Sequence, residues 1–207
     1  MKISLVAFDF DGTIVDSNEA KGKCFGLVFE RFGPNISRLA MEHHRSNLGQ
    51  NRLAKIRAIS ELAELNLSGG EILALCDEFS RIVISEVSRC SLIPGFKGFV
   101  ERVGRRLPYF VISATPQEEL DLLVRRFGLR DLFEEVAGFP EGKVEFLIRI
   151  ASTWRCPISD VLLVGDSDSD ERSAVTAGSQ FFRIDADSEV SFASLAELLG
   201  SNCQDVL

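Results

Sequence analysis

Residues 3–8 are apolar except at Ser4, and the run stops abruptly on Asp9-Phe10-Asp11-Gly12-Thr13. An unbroken apolar run rich in branched residues fits a strand covered on both faces. Such strands belong to parallel sheets with helices on either side, not to half-solvated antiparallel ones. In open parallel sheets, ligands bind beyond the carboxyl ends of the strands. That is where this run places two carboxylates, one residue apart. Acids held so close are costly unless a cation or a reacting proton occupies the site. An Asp-Gly pair alone reads as a solvated turn, so it is the longer string that points to a site.

The pattern changes at once after Thr13. Residues 18–32 have helical spacing and end at Gly33-Pro34, and 36–44 fit a short helix. Residues 47–51 form a polar turn around Gly49. Leu53, Ile56, Ile59, Ala63 and Leu67 then share one face of a helix over 52–67. Ser68-Gly69-Gly70 breaks it, and 71–88 make a further amphipathic helix. Leu92-Ile93-Pro94-Gly95 marks the return to alternation. Strands are expected at 108–113, 133–138, 161–164 and 180–184, between helices at 96–106, 117–127, 143–154, 170–177 and 192–199. Alternating strands and helices give a parallel α/β sheet. An all-helical unit over 16–90 therefore interrupts an α/β core made of 1–15 and 91–207.

Charge follows the same division. Residues 15–90 hold ten acids and ten bases, so the whole net charge of −8 lies outside the insert. An acidic chain makes a poor partner for nucleic acid, and no apolar run is long enough for a membrane span. No export signal precedes the first strand. The five cysteines (Cys24, Cys76, Cys90, Cys156 and Cys203) are scattered and form no C-x-x-C pair. A reducing cytoplasm is expected, with the chain a monomer or weak homodimer.

In a parallel sheet, the ends of the first, second and fourth strands share one rim. They carry Asp9 and Asp11, then Ser113, then Asp166, while Lys143 opens the helix before the fourth strand. This set suits phosphoryl transfer. A phosphate monoester is a dianion that repels an attacking carboxylate, and Mg²⁺, which prefers oxygen ligands, removes that barrier. Asp9 attack would give an acyl phosphate, and Asp11 would protonate the leaving oxygen and later deprotonate water. Ser113 and Lys143 would hold the phosphoryl oxygens.

Asp9-Phe10-Asp11-Gly12-Thr13 resembles the first signature of the haloacid dehalogenase-like superfamily. Ser113 after Phe110-Val111-Ile112 is similar to its second motif and Lys143 to its third. Val164-Gly165-Asp166-Ser167-Asp168-Ser169-Asp170 is similar to its fourth. The resemblance implies a Rossmann-like parallel sheet with helices on both faces and an inserted helical cap, as in the phosphoglycolate phosphatase and β-phosphoglucomutase-like branch. It implies Asp9 as nucleophile, and Mg²⁺ held by Asp9, the backbone carbonyl of Asp11, Asp166 and Asp170. An acid at Asp11 fits phosphatases and phosphomutases, whose alcohol leaving groups need a proton.

The cap must supply specificity. His43, His44 and Asn47 lie in its one strongly polar stretch, and Ala114 adjoins Ser113. Arg52 after Gly49 resembles a Gly-to-Arg pattern of related caps, where the arginine meets a second anionic group. Lys55 would share its helix face. Two departures set the chain apart: Val144 instead of proline follows Lys143, and Ser113-Ala114-Thr115-Pro116 replaces a Ser/Thr-Asn pair. The reading is a Mg²⁺-dependent phosphatase of a small phosphorylated metabolite. The rivals are a sugar-phosphate mutase with the same chemistry, and a catalytically silent binding or regulatory protein on the same fold.

Overall fold

The computed structural model describes residues 2–104, 106–185, 188 and 190–202. The core strands are β1 (Leu5–Phe8), β2 (Tyr109–Pro116), β3 (Glu135–Phe139), β4 (Val161–Gly165) and β5 (Gln180–Arg183). They form one sheet in the order β3-β2-β1-β4-β5, with every pair parallel. The N-terminal strand is therefore central, and all four of its residues are buried.

Period-two alternation divides those residues between the two faces. Val6 and Phe8 join Phe96, Phe99, Tyr109 and Phe192 in one cluster. Leu5 and Ala7 join Phe110, Ile112, Phe146 and Leu163 in the other. The first face is covered by α5 (Phe96–Val103), α6 (Gln117–Arg126) and α9 (Val190–Asn202). The second is covered by α7 (Lys143–Thr153) and α8 (Asp168–Ala177).

Between β1 and α5 lie four helices: α1 (Asn18–Phe29), α2 (Pro34–Ser46), α3 (Arg52–Leu62) and α4 (Gly69–Val87). α4 buries Leu75, Phe79, Val83 and Val87, a stripe at four-residue spacing. Ser68 and Glu71 close its start as a capping box. The chain leaves and re-enters the core side by side. Val15 bridges Leu92, Asp16 N donates to Ser91 O at 2.9 Å, and Ile93 N donates to Ile14 O at 2.9 Å.

Several boundaries differ from the sequence reading. α2 begins at Pro34, because proline at the first helical position brings its φ already set. α3 stops at Leu62, and Glu64 takes a left-handed φ of 53°, which ends the helix before Leu67. α8 begins two residues before Asp170, because Ser167 caps it and Asp170 returns the hydrogen bond. Among the described residues, no helix is long and apolar enough to cross a membrane.

Candidate active site

Asp9 follows β1 directly, and its backbone N–H donates to Val164 O on β4 at 2.8 Å. This ties its position to the strand that presents Asp166. Asp9 is buried, and Lys143 Nζ lies 2.8 Å from its Oδ1. Lys143 also pairs with the fully buried Asp170. Asp170 has both oxygens engaged, since Ser167 Oγ donates to its Oδ2 at 2.6 Å and the Ser167 N–H at 3.1 Å. Gly165 makes this possible, because a Cβ there would lie 2.5 Å from Asp170 Cγ.

Asp9, Asp166 and Asp170 each offer a carboxylate oxygen, all within 4.8 Å of one another. An all-oxygen donor set of this kind fits a hard divalent cation such as Mg²⁺. The electrostatics agree, because three acids face one lysine. Burial, opposed by Lys143 and reinforced by Asp170, Asp166 and Asp11, pushes the Asp9 carboxyl up to about 8. Burial also raises Asp166, against the Asn18 hydrogen bond. Burial works against ionisation at Asp170 and Lys143 too, but Lys143 outweighs it at Asp170, which is lowered, and Asp9 with Asp170 outweighs it at Lys143, which is raised.

Asp11 is held differently. Lys21 Nζ lies 2.5 Å from its Oδ2, Ser17 Oγ donates to Oδ1 at 2.6 Å, and Thr115 Oγ1 donates to Oδ2 at 3.0 Å. Ser113 Oγ is 3.4 Å from the same Oδ2 and accepts from the Thr115 N–H at 3.1 Å. Burial would raise the Asp11 carboxyl, but Lys21, Ser17 and Thr115 outweigh it and hold it below the ordinary carboxylate range. The Asp11 side chain lies outside the three-acid cluster.

A cavity of about 60 Å³ sits over Asp9 and Asp11. Ser113, Ala114 and Asp166 line it from the core, and Lys21, His44, Arg52 and Lys55 from the insert. His43 and Asn47 do not line it. The Asn47 amide donates to His43 O at 2.9 Å at the end of α2, and Asn47 lines a neighbouring groove instead. Arg52 reaches the cavity wall, but its guanidinium donates to both oxygens of Glu119 on α6 at 2.8 and 2.5 Å. It also donates to Ser80 Oγ and covers the Phe79 ring. Its charge is therefore matched within the protein at the cavity wall.

His44 is 3% exposed and stacks on Phe25. Its Nε2 lies 3.1 Å from Asn18 O, which can only accept, so Nε2 carries the hydrogen and Nδ1 is the acceptor. Lys55 Nζ donates to that Nδ1 at 2.9 Å. Burial, with help from Lys55, lowers His44 to about 3. Burial, reinforced by Lys21, lowers Lys55 to about 7.

Sequence reasoning missed Lys21, Asn18, Thr115 and Glu119. Lys21 lies four residues after Ser17, and that spacing places both on the face toward Asp11. Asn18 Nδ2 donates to Asp166 Oδ2 at 2.8 Å. Glu119 carried no signal, since its partner lies far away in sequence. Asp168 is exposed and pairs with Arg183, as a solvent-facing neighbour should.

The haloacid dehalogenase-like hydrolase family model matches residues 6–184. The chain belongs to that family. The family's parallel-sheet fold recurs in solved structures. A haloacid dehalogenase superfamily hydrolase of subfamily IA from Geobacter sulfurreducens is 21% identical with a TM-score of 0.68, covering 96% of this chain and 97% of that one. A predicted phosphoglycolate phosphatase from Haemophilus somnus is 19% identical with a TM-score of 0.75, covering 96% and 98%. A haloacid dehalogenase-like family hydrolase from Streptococcus pneumoniae is 18% identical with a TM-score of 0.72, covering 88% and 85%. At these identities the likeness is one of fold. Among curated proteins, none matches this family member.

Proposed function

We propose that the protein is a Mg²⁺-dependent phosphatase of a small phosphorylated metabolite, acting through a phosphoryl group carried on Asp9. The observation that supports this most is the buried Asp9 carboxylate, set between Lys143 and the Asp166–Asp170 pair on the floor of a cavity between core and insert. Asp9, Asp166 and the Asp11 carbonyl would hold Mg²⁺, with Asp170 beside them. The cation would favour the ionised form of Asp9, which burial otherwise pushes up to about 8, and would offset the repulsion between carboxylate and phosphate dianion.

An Asp9 oxygen attacks phosphorus, and the bond from phosphorus to the ester oxygen breaks. Asp11 gives that oxygen its proton, and the alcohol leaves. Asp11 then takes a proton from water as the water oxygen attacks phosphorus. The Asp9–phosphorus bond breaks and inorganic phosphate departs. Ser113 and Lys143 steady the phosphoryl oxygens throughout. Because Lys21 favours the ionised form of Asp11, the first step requires their pairing to loosen when substrate arrives.

Residues 16–90 act as a cap over a core of 1–15 and 91–207, hinged at the paired crossings of Val15 and Leu92. Cap closure would exclude water. The neighbour named for phosphoglycolate supports a small phosphorylated substrate. Scattered thiols and the net charge of −8 support a reducing cytoplasm and a partner other than nucleic acid, with the chain a monomer or weak homodimer.

The test is phosphate release from a panel of phosphorylated metabolites and 4-nitrophenyl phosphate, with Mg²⁺, beside Asp9→Asn. The variant should lose on the order of 10⁴-fold in kcat while staying folded. Interconversion of sugar phosphates without phosphate release would select a mutase instead. No reaction on any ester would select a binding protein.

A further inference from the structure

Three cations of the insert line the cavity over Asp9: Lys21, Arg52 and Lys55. Two are already matched. Lys21 pairs with Asp11, and Arg52 grips Glu119 through two nitrogens. Lys55 is 3% exposed, yet among the described residues no carboxylate forms an ion pair with it. One of its three N–H groups goes to neutral His44, and the Phe25 ring lies 5.5 Å away. The His44 tautomer is fixed from behind by Asn18 O, so this imidazole can accept from the ammonium but cannot neutralise it. Burial and Lys21 lower Lys55 to about 7, so it stands at the border between amine and ammonium, and an anion placed beside it favours the charged form.

The phosphoryl group does not require Lys55, because Lys143, Ser113 and the acid cluster serve it from the core. Lys55 stands on the opposite wall, on α3. We propose that Lys55 is the specificity-determining residue that receives a carboxylate on the leaving-group side, so that the substrate is a small phosphorylated carboxylic acid. This rests on the phosphatase reading above and adds to it the class of leaving group. It also moves the anion-reading role from Arg52, where the sequence pattern put it, to the residue one helical turn further along.

The test uses the full chain with Mg²⁺ on esters matched in size, one acidic and one neutral. The pairs are phosphoglycolate against 2-hydroxyethyl phosphate, and 3-phosphoglycerate against glycerol 3-phosphate. The acidic member should be favoured by about 10–100-fold in kcat/KM, the value of a charge-assisted hydrogen bond. Lys55→Gln should collapse that ratio toward one, mainly through KM, and Lys55→Arg should restore part of it. Equal use of both members by the unaltered chain would overturn the proposal, even if Lys55→Gln fails to fold. So would an equal loss on both members in Lys55→Gln. Either result leaves the phosphatase reading standing. Inactivity on all four esters and on 4-nitrophenyl phosphate brings down that reading, and this proposal with it.

Discussion

Arg52 on α3 and Glu119 on α6 join the insert to the core through two hydrogen bonds of 2.8 and 2.5 Å, with side chains only 11% and 9% exposed. Removing one partner strands the other charge in a dry seam, which costs about 3–5 kcal/mol. Glu119→Leu and Arg52→Met should each lower stability by that order in urea unfolding. The double variant should lose less than the two singles combined, because it leaves no orphan. Strict additivity would mean that the pair carries no coupling.

Divalent cation should stabilise the fold by relieving repulsion among Asp9, Asp166 and Asp170. Ligand linkage gives about 2.7 kcal/mol at a hundredfold excess over Kd. The thermal midpoint should therefore rise with Mg²⁺ and fall again with chelator. Asp166→Asn should respond much less. An equal response in the variant would place the cation elsewhere.

Acid should weaken the insert through His44. Its folded value is about 3, below the ordinary imidazole value of an unfolded chain, so the unfolded state binds the extra proton between about pH 6.5 and 3. The stability due to neutral His44 is present above that window and is lost as pH falls through it. Melting curves from pH 7 to 4 should drop more steeply for the unaltered chain than for His44→Gln. Parallel slopes would count against this assignment.

Gly12 should tolerate no side chain. Its φ is +75°, and a Cβ would lie 2.2 Å from both Asn18 Nδ2 and Asp166 Oδ2. Gly12→Ala should cost roughly 1–3 kcal/mol from backbone strain alone and should displace Asp166. Hydrolysis should fall further than stability does. Activity close to that of the unaltered chain would contradict the geometry.

The local signals explain what was legible in the chain. Residues 5–8 are apolar on both faces because both faces are covered, and the alternation after Leu92 fixes a parallel sheet. Asp9, Ser113, Lys143 and Asp166 could be grouped because parallel strands end on one rim. The Arg52–Glu119 pair was not legible, because the spacing of Arg52 from Gly49 is local, whereas its partner is set by how α3 lies against α6. Lys55 could be placed on a helix face, but its lack of a carboxylate depends on packing that no short window encodes. Asn18 and Thr115 have ordinary side chains whose importance comes only from touching Asp166 and Asp11.

The chain crosses between core and insert where Val15 meets Leu92, and Arg52–Glu119 and Lys21–Asp11 clasp the two together away from that edge. On the cap reading proposed above, a leaf that swung on the Val15–Leu92 edge would release both clasps and carry Lys21, Arg52 and Lys55 with it as one load of positive charge. It would leave behind a bowl of Asp9, Asp11, Asp166 and Asp170 with only Lys143 and the bound cation to meet a dianion. Capture of the ester and descent of the roof would then be two sides of one equilibrium, and a phosphate should dwell only beneath a shut lid.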